Sequence, residues 1–197
     1  AFVRGRDCVR RVFAAPRSGA SGAARCMTAD TPEARLFVGL WPPDEVRSAI
    51  ARHAAQWSWP RGVSPVRHDK LHLTLHFLGQ VPRARLPELG QGLAVPFEPF
   101  DLNLHYGELW PGGIAVMRPA STPPALPALH ERLHRALDRL QLPSSRQQLQ
   151  PHVTLARRAQ GAVPPARRED IGWAVDGFVL VESALRRSQY QLVHRYP

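Results

Sequence analysis

The chain has 197 residues, 44% of them hydrophobic, enough for one domain or two small lobes around a shared core. No window approaches the roughly 18 unbroken apolar residues of a membrane-spanning helix, so a soluble protein that does not engage a membrane is expected. The formal charge of +10 suits a polyanionic partner such as RNA, yet Lys70 is the single lysine among 26 basic residues, an arginine bias that genome-wide codon usage would also produce.

Residues 1–30 lack sustained periodicity and are rich in Arg, Ala, Gly and Ser, a composition similar to transit segments. Six arginines against one acid give residues 1–26 half of the net charge, and both cysteines, Cys8 and Cys26, lie there. Met27 is read as the native start, with residues 1–30 a disordered extension ahead of a single domain over 31–197. That domain has no cysteine, which excludes a disulfide framework, a thiolate metal site and a cysteine nucleophile in it and fits a cytoplasmic setting.

From Arg35 the pattern is regular. "RLFVGLW" (35–41) reads as a strand, and residues 42–57 as a helix. The helix has Pro43 in its first turn, Asp44 and Glu45 at its positive end, and apolar positions Val46, Ala49, Ile50, Ala54 and Trp57 at helical spacing. "LHLTLHFLG" (71–79) is the next strand, followed by a glycine-interrupted helix in 83–94 and a strand pair, 100–110 and 113–119, around Pro111-Gly112. Residues 124–140 form a clear helix with Leu129, Leu133, Ala136, Leu137 and Leu140 on one face. "QLQPHVTLAR" (148–157), residues 174–183 and residues 188–196 are the closing strands, with a Pro-rich charged loop at 160–170. Strand, helix and His-x-Thr strand thus occur twice, a loose duplication that suggests two lobes related by a pseudo-dyad.

The two His-x-Thr stretches carry the chemistry. Side chains alternate along a strand, so Leu71, Leu73, Leu75 and Phe77 are expected on one face, and His72, Thr74 and His76 on the other. Likewise Val153 and Leu155 point to the core and leave His152 and Thr154 opposite. Each strand then offers an imidazole beside a hydroxyl on a rigid element. Histidine titrates near pH ~6.5, so two of them facing one bond can serve as general acid and general base. Threonine hydroxyls suit the non-bridging oxygens of a phosphate, and the arrangement needs no metal or cofactor. The chain has only five threonines, and two of them occupy this one pattern.

"RLFVGLWPP", "KLHLTLHFLG", "PHVTLAR" and "LVES" together resemble the signatures of the 2H phosphoesterases, nearest the bacterial RNA 2′,3′-cyclic phosphodiesterases, also called 2′-5′ RNA ligases. The resemblance runs from about Arg35 to Tyr196. It implies an α+β fold of two pseudo-symmetric lobes, mostly antiparallel sheet with outer helices, and a cleft between them lined by both motifs. It also implies hydrolysis of ribonucleoside 2′,3′-cyclic phosphate ends to 2′-phosphates, with 2′-5′ ligation as a reverse activity. Carried over by position, His72 is the proton donor and His152 the proton acceptor, while Thr74, Thr154 and Arg157 bind the phosphate. RNA ends or 2′,3′-cyclic nucleotides are the expected partners, and the protein is expected to be a monomer.

Arg157 shares its parity with Val153 and Leu155, so it reaches the cleft only if the strand ends or bulges near Ala156. His76 is read as non-catalytic, Phe77 as core, and His130 and His134 as helix-surface residues, while His53 sits where a cation favours a helix end. His68, His72 and His76 recur every four residues, a spacing that spreads ligands ~13 Å apart on a strand, too far for one zinc ion. Trp41, Trp57, Trp59, Tyr106, Trp110 and Tyr190 are candidates for base stacking that sequence does not separate. No glycine-rich phosphate loop occurs. Two other functions fit less well: an RNA-binding module with a phosphate-recognising cleft but no chemistry, which has little need of two titrating groups, and a metal-dependent hydrolase.

Overall fold

The computed structural model describes residues 32–144, 148–166, 169–184 and 189–197. The extension expected over residues 1–30 lies outside them. Nine strands are present among the described residues: β1 (Glu33–Leu40), β2 (Ser64–Pro65), β3 (Leu73–Pro82), β4 (Phe100–Trp110), β5 (Ile114–Pro119), β6 (Val153–Arg157), β7 (Ile171–Val175), β8 (Phe178–Ala184) and β9 (Gln189–Tyr196). The helices are α1 (Asp44–Ala55), α2 (Leu86–Gly92) and α3 (Ala125–Arg139). One antiparallel sheet runs β7-β4-β5-β6-β3-β1-β8-β9, with β2 added to β6. The expected α+β class with mostly antiparallel sheet is what the chain adopts.

The duplication is visible in the connections. β1 and β3 are antiparallel neighbours joined through α1, and β5 and β6 are antiparallel neighbours joined through α3. Each helix crosses to the other half, α1 packing against β7 and α3 against β3. The halves β3-β1-β8-β9 and β7-β4-β5-β6 meet at a single residue pair, Leu73 with Val153. A seam one pair wide lets the strands diverge on either side.

Local sequence accounts for the elements. α3 begins behind Pro123-Pro124 and buries Leu126, Leu129, Leu133, Ala136 and Leu137 on one stripe. Truncating one of those leucines to alanine should cost about 2–5 kcal/mol. α1 opens with Asp44 and Glu45 against its positive end and buries Ile50 and His53. His53 therefore does not act as an exposed C-terminal cation: it is 1% exposed and faces Glu169 across 3.2 Å. The strand expected over 174–183 is two strands, broken at Asp176-Gly177, with β7 paired to β4 and β8 to β1. A side chain at Gly177 would collide with the Tyr196 backbone carbonyl, so this close approach of β9 needs glycine. No helix of the described residues is long and apolar enough to cross a membrane.

Both motif strands carry a bulge immediately after the threonine. Gly39 pairs with Thr74 but Val38 with His76, leaving Leu75 as an extra residue of β3. Val116 pairs with Thr154 but Ala115 with Ala156, leaving Leu155 as an extra residue of β6. Strict alternation fails at these points. His76, expected beside His72, is fully buried, donating from Nε2 to the His130 carbonyl at 2.9 Å. Phe77, expected in the core, is 48% exposed.

Candidate active site

The seam pair Leu73–Val153 sets the site. One residue to either side on the antiparallel register, His72 lies across from Thr154, and Thr74 across from His152. The four side chains form a quadrilateral on one sheet face, with the two histidines on its diagonal, ~7–8 Å apart at the backbone.

Both imidazoles are held alike. His72 Nδ1 lies 2.6 Å from the Lys70 carbonyl, and His152 Nδ1 lies 2.7 Å from the Gln150 carbonyl. A carbonyl only accepts, so Nδ1 carries the proton and Nε2 is the working atom of each ring. His72 Nε2 is 3.1 Å from the Thr74 hydroxyl, which donates to it when the ring is neutral. His72 is pushed below its ordinary value chiefly by burial, with help from His152 and Arg157, while the Lys70 carbonyl pulls the other way. His152 is lowered by burial and then by Arg118 and Arg157, against the Gln150 carbonyl.

His72, Thr74, Thr154 and Arg157 line one cavity of about 450 Å³, together with Arg35, Phe77 and Tyr190. His152 lines the adjoining cavity of about 530 Å³, and Thr74 is a wall of both. Arg157 reaches the cleft because the Leu155 bulge inverts its parity, meeting the condition the sequence set. It acts electrostatically on both imidazoles and has no hydrogen-bond or ion-pair partner among the described residues.

Residues 40–115, which include the first motif, match the family described as LigT like Phosphoesterase. The curated RNA 2′,3′-cyclic phosphodiesterase of Thermus thermophilus is 34% identical over 165 residues, covering 77% of this chain and 83% of its own. The chain belongs to the LigT-like phosphoesterases, the 2H phosphoesterase family. The Escherichia coli protein of the same name is 32% identical over 158 residues, covering 79% of this chain and 90% of its own. Among solved structures, E. coli LigT complexed with 3′-AMP superposes with a TM-score of 0.75 at 28% identity, covering 83% of this chain and 97% of that one.

The surroundings of this phosphoesterase's cleft were only partly legible in sequence. Phe77 and Arg157 stand five residues after their motif histidines, and the paired bulges bring both to the cavity. The Arg35 guanidinium lies 4.8 Å from the Phe77 ring centre. Of the aromatics left unsorted by sequence, Trp41 and Tyr190 pack around His72, and Trp110 contacts His152 at 4.4 Å. Trp57 instead is buried and stacks on Trp59 at 4.9 Å. His130 and His134 are half-buried rather than surface residues; His130 stacks on His76 at 4.0 Å, and burial pushes it down to about 4. No cluster of three or more His, Cys, Asp or Glu suited to a metal ion occurs among the described residues.

Proposed function

We propose that this phosphoesterase hydrolyses the 2′,3′-cyclic phosphate ends of RNA, or small 2′,3′-cyclic nucleotides, to 2′-phosphates without a metal. The observation that carries the proposal is the one-pair seam, whose register puts two Nδ1-anchored imidazoles diagonally across it. The curated relatives' activity, stated in their names, supports the substrate class. A water oxygen attacks phosphorus while His152 Nε2 takes its proton. The bond from phosphorus to the 3′ oxygen breaks, and that oxygen takes the Nε2 proton of His72.

Thr74 changes role with His72. When the ring is protonated, Nε2–H donates to the Thr74 hydroxyl, whose own proton is then free for a non-bridging phosphate oxygen. Thr154 supplies a second donor, and the Arg157 guanidinium counters the developing charge. An RNA 5′-hydroxyl in the place of water makes a 2′-5′ phosphodiester by the same two proton transfers.

The test is turnover of a 2′,3′-cyclic mononucleotide in excess chelator. His72→Ala and His152→Ala should each lose about 10²–10⁴-fold in kcat while remaining folded. Full turnover in both variants would refute the two-histidine mechanism, and a wild type that binds RNA but shows no turnover would make the protein a binding module.

A further inference from the structure

The two motifs match in backbone, bulge and Nδ1 anchor, so something else must decide which histidine gives a proton and which takes one. The difference lies one strand further out. On the β1–β3 register, Leu40 pairs with Leu73, which places Trp41 across from His72. On the β5–β6 register, Met117 pairs with Val153, which places Arg118 across from His152. Trp41 and Arg118 therefore occupy equivalent positions in the two halves, and one is an aromatic ring where the other is a cation.

The contacts follow. The Trp41 and His72 rings lie within 20° of parallel with centres 5.8 Å apart. Phe37, tilted by 30° with its centre 4.6 Å away, and Tyr190, edge-on at 5.4 Å, also contact His72. An imidazolium on the face of an indole is attracted to its negative π cloud, and a neutral imidazole far less so. Arg118 lies 5.9 Å from the centre of Trp110, the ring that contacts His152, so its charge opposes an imidazolium there.

Resting on the two-histidine mechanism above, we propose that Trp41 and Arg118 are positioning residues that divide the labour, Trp41 favouring His72 as the proton donor and Arg118 favouring His152 as the acceptor. Other groups bear on each ring. Around His72 these are the Lys70 carbonyl, the Lys70 ammonium 5.2 Å from the Tyr190 ring, the Tyr190 phenol, Arg35 across the cavity, and His152 and Arg157 from β6. Around His152 they are the Gln150 carbonyl, Arg157, His130 in the same cavity, and Glu108, which pairs with Arg118 at 2.9 Å and dilutes its charge. The Lys70 and Gln150 carbonyls repeat across the pseudo-dyad and act alike on the two rings; their side chains also differ there, but an ammonium at Lys70 opposes an imidazolium at His72 and so does not favour it as the donor.

Imidazole titration by NMR of the free protein tests this, with His72 and His152 assigned from their alanine variants. Trp41→Leu should lower the His72 midpoint by about half a pH unit or more, and Trp41→Phe should restore most of it. Arg118→Gln should raise the His152 midpoint, and Arg118→Lys should leave it near the wild-type value. If Trp41→Leu raises His72 instead, the indole only keeps water away, and the proposal fails; an unchanged His152 in Arg118→Gln overturns the second half. Should Trp41→Leu not fold, fluorinated tryptophan incorporated throughout keeps the shape but drains the π face. His72 must then fall with increasing fluorination, and a constant midpoint refutes the ring-face contact. Loss of the whole mechanism would read differently: turnover would survive in His72→Ala, whatever the titrations show.

Discussion

Gly39→Ala probes how far the chemistry depends on the seam. Gly39 pairs with Thr74, and a Cβ placed on it would lie 2.7 Å from the backbone carbonyl oxygen of Leu73, the residue whose partner across the seam is Val153. Ordinary contact begins near 3.4 Å, so β1 and β3 must part by about 0.7 Å. The obstacle is backbone on a buried central strand and cannot rotate away. Overpacking of this kind costs about 1–3 kcal/mol, and each kcal/mol lowers Tm by about 2–4 °C in a domain of this size. Displacement of His72 and Thr74 by most of an ångström should lower kcat by about 10–100-fold, since misplacement of ~1 Å can cost 10²-fold. The assay pairs thermal melts with turnover at saturating 2′,3′-cyclic mononucleotide. Gly172→Ala in β7, where nothing lies within 4 Å of the added methyl, is the control. Wild-type Tm and kcat in Gly39→Ala would refute the claim that β1 sets the position of the first motif.

Phe77→Ala should cost less than ~1 kcal/mol of stability, far below the ~3–5 kcal/mol of a core phenylalanine, while raising KM for a nucleotide; a core-sized loss would contradict the Leu75 bulge. Arg157 lowers both motif histidines, so Arg157→Gln should move both limbs of the pH–rate curve to higher pH and cut kcat by about 10²-fold. Arg157→Lys should leave the limbs in place, and an unmoved curve in Arg157→Gln would show that the guanidinium stands away from both rings. His130 is held down to about 4 against an ordinary 6.5, so between those values the unfolded chain binds the extra proton, and stability falls as pH drops from 6.5 to 4. His130→Gln should blunt that acid loss in urea titrations at pH 7 and pH 4.5, and an equal loss in the variant would assign it elsewhere.

Periodicity reveals what depends on one element alone. The leucine stripe of α3 and the acid-led start of α1 appear in the sequence within two residues of their observed bounds. His72, Thr74, His152 and Thr154 share a face because the two-residue repeat holds through both motifs. Just beyond them the repeat fails, and the reason lies in the partner strands. Whether Leu75 is an extra residue depends on β1, and whether Leu155 is depends on β5, so neither bulge is written in its own strand. That accounts for the misplaced Phe77 and His76, and for Arg157 reaching the cleft against its parity. The buried His76–His130 stack likewise needs α3 laid across β3, a contact between segments fifty residues apart.

A crystal structure with a 2′-nucleotide bound tests the central claim most directly. One phosphate should bridge the cleft, with His72 Nε2 and His152 Nε2 each ~2.6–3.2 Å from a different oxygen, on opposite sides of the same phosphorus. A phosphate that engages only one of the two imidazoles, with the other facing the neighbouring cavity, would contradict it.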